Sequence, residues 1–268
     1  MYQNKNYAYF SSIEKFLEMN DDNILSELKK GFISMMHDVP NFKLDTKQEN
    51  AWRGMMKFLR EVFSKINKNA YFAMEYRLPF SNERIDLILF GKNDEKKNVA
   101  IIFELKGWKA VDLNIEDQHE HPEKQLKGYL EKLNKTHSTA HIFNKIGVIW
   151  AYNLPKNKIE IHDNFKAFFE GEETELLDFL NSVIKEGIER REVEEFLNGE
   201  YFQSPLLLDV INNKSEELIK KAYEFLCENG IPPSEDQKQF VENVISEVES
   251  GKKKFTLYPD LLAREKLT

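Results

Sequence analysis

Two acidic residues interrupt otherwise apolar strands in this chain, and that conflict constrains what it can fold into. Residues 76–108, YRLPFSNERIDLILFGKNDEKKNVAIIFELKGW, read as two strands joined by a turn. Ile85, Leu87 and Leu89 alternate with Arg84, Asp86 and Ile88, while residues 100–105 are apolar except for Glu104, as in partly and fully buried strands. Gly91, Lys92, Asn93, Asp94 and Glu95 supply the turn residues between them. Because strand side chains alternate faces, Glu104 and Lys106 project to one side and Leu105 to the other. A carboxylate in a buried strand is costly unless it is paired or holds a metal. Asp86 and Glu104 with Lys106 on neighbouring strands form a site where a cation can neutralise the acids. Mg²⁺, or Mn²⁺ in its place, suits such oxygen ligands and can polarise a phosphodiester and activate water. The lysine can orient that water or stabilise charge developing on phosphoryl oxygens.

The arrangement resembles the PD-(D/E)XK nuclease superfamily, in which a strand acid precedes an acid-x-lysine on the next strand. Asp86 stands at the first acid, with Ile85 where the pattern has proline, and Glu104-Leu105-Lys106 fills the second half. A further acid, Glu75, lies in the preceding apolar run. Downstream, HPEKQLKGYLEKL places Gln125 and Tyr129 four residues apart, on one stripe of a helix. That segment is similar to the QxxxY helix of the RecB and lambda-exonuclease branch. The resemblance implies that Asp86, Glu104, the carbonyl of Leu105 and Glu75 hold or position Mg²⁺. It implies that Lys106 orients the attacking water, and that Gln125 and Tyr129 position the scissile phosphate or the lysine.

Composition is compatible with that chemistry. The chain has 268 residues, 41% of them hydrophobic and 31% charged, enough to bury a sizeable core. No apolar run reaches the length of a membrane span, and the segment MYQNKNYAYF lacks the basic and apolar regions of a signal peptide. The single cysteine, Cys227, excludes an internal disulfide framework and fits a reducing compartment, so a cytoplasmic protein is expected. A net charge of −8 argues against a generic nucleic-acid coat protein, but a metal-binding cleft itself concentrates acids. Much of the acidity lies in residues 170–173 and 192–195, so a surface facing nucleic acid is expected elsewhere.

Along the chain, Ser11 or Ser12 can cap a first helix bearing Ile13, Phe16 and Leu17. After Pro40, residues 46–66 repeat Trp52, Met55, Met56, Leu59, Phe63 and Ile66 at helical spacing. In the nuclease family such a helix lends an acid or a glutamine to the site; Glu49 and Glu61 are the acids available here. Residues 71–78 read as a strand, 142–152 as another and 158–162 as a short one. His119 and His121 are two residues apart in a chain with one cysteine, a poor zinc pattern, and are read as loop histidines; Pro122 suits a first helical turn. The order helix, three strands, helix, strand implies a crossover to a parallel final strand. Beyond residue 164, segments 176–188, 192–197, 205–211, 216–226 and 235–248 read as helices. PSEDQKQF, containing Gln237, resembles the helicase entry of bacterial nuclease–helicase proteins related to Schlafen, yet no Walker A loop follows.

The expected fold is α/β: a restriction-endonuclease-like core, with a mixed sheet flanked by helices, followed by a helical region. Residues 1–45 are expected as a helical extension, 46–165 as the core and 166–268 as a helical region with a helicase-entry-like tail. The expected activity is Mg²⁺-dependent hydrolysis of phosphodiesters in DNA, ahead of RNA, with defence against phage or mobile elements as the setting. The alternative is an inactive nuclease-like module that binds nucleic acid or a helicase/ATPase partner. A third reading, an ordinary strand salt-bridge network of Asp86, Glu104 and Lys106 in an unrelated α/β protein, explains each residue alone but not their joint order.

Overall fold

In a computed structural model of the protein, residues 5–37, 39, 42–78, 83–107, 121–158, 161 and 165–201 are described. Their centre is a mixed, open six-stranded sheet in the order β1-β2-β3-β4-β5-β6. The strands are β1 (Tyr7–Ser12), β2 (Tyr71–Arg77), β3 (Arg84–Lys92), β4 (Asn98–Leu105), β5 (Asn144–Ala151) and β6 (Lys166–Phe169). β1 to β4 pair antiparallel, whereas β4–β5 and β5–β6 are parallel. The helix α4 (Pro122–Thr136) lies between β4 and β5 in the chain, as a parallel pair requires a crossover.

Both sheet faces are covered, which is why β3 and β4 read as nearly continuous apolar runs. On one face lie α1 (Ile13–Glu18), α2 (Asp21–Met35), α3 (Thr46–Phe63) and α5 (Glu173–Val183). Phe16, Leu28, Trp52, Leu59, Phe63 and Leu180 meet Phe72, Leu87, Leu89 and Phe103 there. On the other face, α4 and α6 (Arg190–Leu197) bring Leu126, Leu133, Val193 and Phe196 onto Ile88, Phe90, Ala100 and Ile102. Local chemistry sets the helix starts. The Ser12 hydroxyl accepts from Lys15 N, Asn20 from Asn23 N and Asp45 from Lys47 N, each satisfying an amide that helix geometry leaves open.

Several expectations are corrected. Residues 1–45 are not helical alone, because β1 pairs with β2 as an edge strand of the sheet. The strand expected at 158–162 falls mostly outside the described residues, Lys158 itself belonging to a 3-10 turn (Lys156–Lys158), and β6 follows at 166–169, within the region read as helical. Residues 159–160 and 162–164 lie outside the described residues. Gly91 and Lys92 belong to β3 rather than to the turn; the chain reverses where Asn93 N donates to Lys97 O and Lys96 takes φ 59°. Gly91 is needed for close packing, since a Cβ there would stand 2.5 Å from Ile184 Cγ2. His119 and the helices expected from residue 205 onward, with Gln237 and the tail, lie outside the described residues.

Candidate active site

Where β3 and β4 part, their ladder ends at Leu87–Phe103. Beyond that pair the Asp86 carboxylate takes over, accepting a hydrogen bond from Leu105 N at 2.7 Å. Next to Asp86 on β2, Glu75 has φ 53°, in the left-handed region. For a non-glycine residue that conformation costs on the order of 1–3 kcal/mol unless surroundings enforce it. Its consequence is a slip in alternation. Phe72 and Met74 pack on the α1–α3 face, but Tyr76 packs on the α4 face; on β3 likewise, Leu87 and Leu89 lie on the first face and Ile85 on the second. Glu75 and Asp86 thus occupy the point where both strands change phase.

Three donors hold Glu75. Its Oε1 accepts from Gln48 Nε2 at 2.9 Å and from the Trp52 indole at 2.8 Å, both on α3. Its Oε2 accepts from Arg84 Nε at 2.9 Å. The expectation that Glu75 joins the metal ligands therefore meets a different arrangement: both of its oxygens are engaged by protein, so it frames the site.

Glu104 is buried at the end of β4 on the α4 side, and its Oε1 lies 2.5 Å from Lys106 Nζ. Two residues along an extended strand bring these side chains to one face. Lys106 Nζ also donates to Gln125 Oε1 at 2.7 Å. Pro122 opens α4 at a position where its missing N–H costs nothing. One helical turn separates Gln125 from the buried Tyr129, whose hydroxyl lies beside the Glu104 carboxylate. Burial first, then the negative charges of Glu104 and Asp86, push the Tyr129 hydroxyl far above the ordinary phenol range. It therefore stays a neutral hydroxyl. At the rim Lys132 pairs with Glu83.

Asp86 keeps some surface open to the cleft, yet protein atoms crowd it. Its pKa is raised well above the usual carboxylate value, chiefly by desolvation, then by the charges of Glu104 and Glu75; Lys106 and the Leu105 amide oppose this only in part. A cleft of about 350 Å³ is lined by Asp86, Glu104, Leu105, Lys106, Gln125 and Tyr129, together with Gln48, Glu75, Glu83 and Arg84. The residues that the nuclease motifs single out, with Glu75, therefore line one space.

Sequence reasoning missed Gln48, Trp52 and Arg84 as parts of the site. Glu49 and Glu61, the helix acids considered, pair instead with Lys29 and Lys65. A signal for the missed pair existed: Gln48 and Trp52 are four apart on α3 and share a stripe. Only proximity to Glu75 gives that stripe meaning. His121 pairs with Glu123 at 3.4 Å at the start of α4.

Among the described residues, no group of three or more His, Cys, Asp or Glu side chains is arranged to hold a metal ion. Two neighbouring carboxylates and a backbone carbonyl are nevertheless a hard, all-oxygen donor set. Mg²⁺ in phosphate chemistry typically uses one or two carboxylates and takes its other ligands from water and substrate. The donors of Asp86, Glu104 and Leu105 fit that type and not zinc, which favours imidazole and thiolate. Comparison of the chain with protein-family models, with curated proteins and with solved structures gave no match.

Proposed function

We propose that the cleft hydrolyses phosphodiesters in nucleic acid with a divalent cation, and that the core is restriction-endonuclease-like. The observation that carries this reading is the convergence of Asp86, Glu104 and Lys106, with Gln125 bonded to the lysine, at the splayed end of two strands. The element order α3–β2–β3–β4–α4–β5, with β5 parallel to β4, supports the fold. A plain salt-bridge network explains the lysine pairing but gives no reason to crowd two further acids around Asp86, where their charges oppose its ionisation. Such perturbation clusters at functional sites.

In the proposed reaction, water attacks phosphorus, the bond to the leaving sugar oxygen breaks, and a phosphate monoester and a hydroxyl result. Asp86, Glu104 and the carbonyl of Leu105 would hold Mg²⁺ or Mn²⁺. Bound there, the cation would lower the pKa of water and neutralise phosphoryl charge. Lys106, tethered by Glu104 and Gln125, points a fixed ammonium at the attacking water and at the phosphoryl oxygens. Because it is already oriented, little reorganisation is needed in the transition state. Tyr129 sets its hydroxyl beside Glu104, and Gln125 holds the lysine. Glu75, fixed by Gln48, Trp52 and Arg84, keeps β2 in the conformation that presents Asp86.

DNA is proposed ahead of RNA, and a separate helicase as partner, by analogy with the family the motifs resemble. The same analogy suggests action in the cytoplasm against phage or mobile elements. Among the described residues no helix is long and apolar enough to cross a membrane. The test is incubation of the 268-residue chain with end-labelled single-stranded DNA, duplex DNA and RNA, in Mg²⁺, Mn²⁺ or EDTA. Cleavage that needs the cation and disappears in Glu104→Gln supports the reading; cation-dependent cleavage undiminished in Glu104→Gln refutes it.

A further inference from the structure

The cleft does not stop at Asp86. A second lobe of about 360 Å³ continues from it, sharing Gln48, Glu75, Asp86 and Leu105 as a common wall. Its other lining differs in kind from the lysine side. Asn50 and Gly54 from α3 face Tyr152 and Asn153 after β5, with Trp52 and Met55 between. Beyond the common wall, none of the lining side chains among the described residues is charged.

We propose that this lobe is a nucleobase subsite, and that the substrate is therefore single-stranded or locally unpaired nucleic acid. The inference rests on the nuclease reading of the adjoining lobe and deepens it. A phosphate is a poor occupant, because among the described residues the charges on the lining are the carboxylates of Glu75 and Asp86. A neutral planar group with an apolar face and a polar edge suits it. Carboxamides such as those of Asn50 and Asn153 offer a donor and an acceptor together, the pattern that reads a base edge. Tyr152 supplies an aromatic ring of the kind on which bases stack, with the edge of Met55 as an apolar neighbour. Tyr152 is itself fixed by ring contacts at 4.7 Å with Phe58 and 5.8 Å with Trp150, so the wall is rigid. A base paired within a duplex cannot enter a pocket without leaving its stack. With the lysine lobe taking the phosphodiester, the neighbouring lobe takes the base of an adjoining nucleotide.

Gly54 gives a clean way to close the lobe. It is exposed on α3, and a Cβ there would meet nothing within 4 Å. Gly54→Leu therefore fills space without strain and favours the helix. The experiment measures binding of a fluorescein-labelled single-stranded oligonucleotide to the full chain in EDTA, so that nothing is cut. A uniform sequence, the same strand carrying abasic positions, and a blunt duplex are compared. Loss of a stacked base costs roughly tenfold in affinity. Wild type should therefore bind the abasic strand about tenfold more weakly, and the duplex more weakly than the intact strand. Gly54→Leu should lose about tenfold on the intact strand and nothing on the abasic one. Equal binding of intact and abasic strands by wild type overturns the subsite, as does undiminished binding of the intact strand by Gly54→Leu. Cation-dependent cleavage measured in parallel separates the two layers. If Glu104→Gln abolishes cutting while Gly54→Leu changes neither cutting nor binding, the nuclease reading stands and the base subsite falls.

Discussion

Two clusters of buried polar side chains sit at opposite ends of α4, and they are built on opposite principles. At the N-terminal end, Asp86 and Glu104 crowd against Lys106, Gln125 and Tyr129. At the C-terminal end, His137 lies 3.2 Å from Tyr76 Oη, which in turn accepts from Tyr201 Oη at 3.1 Å. His137 Nδ1 accepts from the amides of Thr139 and Ala140, so the proton of the neutral ring is on Nε2, facing Tyr76. The ring stacks on Phe196 at 4.8 Å. This second cluster is neutral and bonded through protein groups, and it ties the end of α4 to the segment after α6. The first is charged, with like charges close enough to oppose one another. A buried network whose every member is satisfied stabilises a fold; one that gathers like charges costs stability and is retained for what it does. Each region can be tested by removing one group and asking whether activity or stability answers.

The largest effect is expected at Lys106. Lys106→Ala should lower turnover of a cleaved oligonucleotide by about 10²–10³, the scale for losing one oriented donor to transition-state charge. Affinity for the uncut strand should change little, because the contribution arises mainly in the transition state, whereas the melting temperature should fall, because the buried Glu104 carboxylate loses its ammonium partner. Single-turnover kinetics beside anisotropy binding separate the two. Full cation-dependent cleavage by Lys106→Ala would remove the chemistry from this cleft.

At the other end of α4, His137→Ala should destabilise by about 1–3 kcal/mol, the cost of leaving buried groups unsatisfied, without altering turnover. Urea denaturation reads the first and the cleavage assay the second. The same histidine predicts a pH dependence. Burial, the largest cause, lowers its pKa from 6.5 to about 4, so between those values the unfolded chain binds more protons than the folded one. This contribution to stability is full above pH 6.5, falls as the pH drops through that window, and levels off below about 4. His137→Phe should flatten that slope in urea midpoints taken across the window.

Asp86 should behave with the opposite sign. Its folded pKa is raised above the carboxylate value, so its ionised form opposes folding at neutral pH, and protonation on acidification relieves that penalty until the pH nears the unfolded value. Asp86→Asn keeps an acceptor for Leu105 N and removes the charge. It should raise the melting temperature at pH 7, by about 2–4 °C for each kcal/mol relieved, while abolishing cleavage. A lower melting temperature would mean that the carboxylate is stabilising and that the contrast between the clusters fails. As a baseline, Arg191→Ala removes an exposed pair with Glu195 and should change stability by less than about 0.5 kcal/mol. A larger loss by thermal denaturation would mean that surface pairs matter here and would blur the comparison.

What the sequence determined by itself was local. The one-face spacing of Glu104 and Lys106, the Gln125–Tyr129 stripe, the Ser12 cap and the start of α3 at Thr46 follow from local signals, periods of two and 3.6 residues and helix-start chemistry. Such signals need no knowledge of partners. The regular alternation expected from Ile85 to Leu89, by contrast, is broken at Asp86. Only the tertiary structure decided the rest. β1 and β6 are short edge strands of six and four residues, and β1 finds its partner β2 some sixty residues away. No local pattern separates such a segment from the start of a helix, and pairing energy overrides weak propensity. Glu75 looked like another metal ligand until Gln48, Trp52 and Arg84 reached its oxygens, and nothing in the apolar run around it announces a left-handed backbone. The Tyr76–His137–Tyr201 cluster spans 125 residues of sequence and has no linear signature. A charge or hydroxyl takes its role from whatever donors and acceptors lie within about 3 Å of it, and those neighbours exist only once the chain has folded.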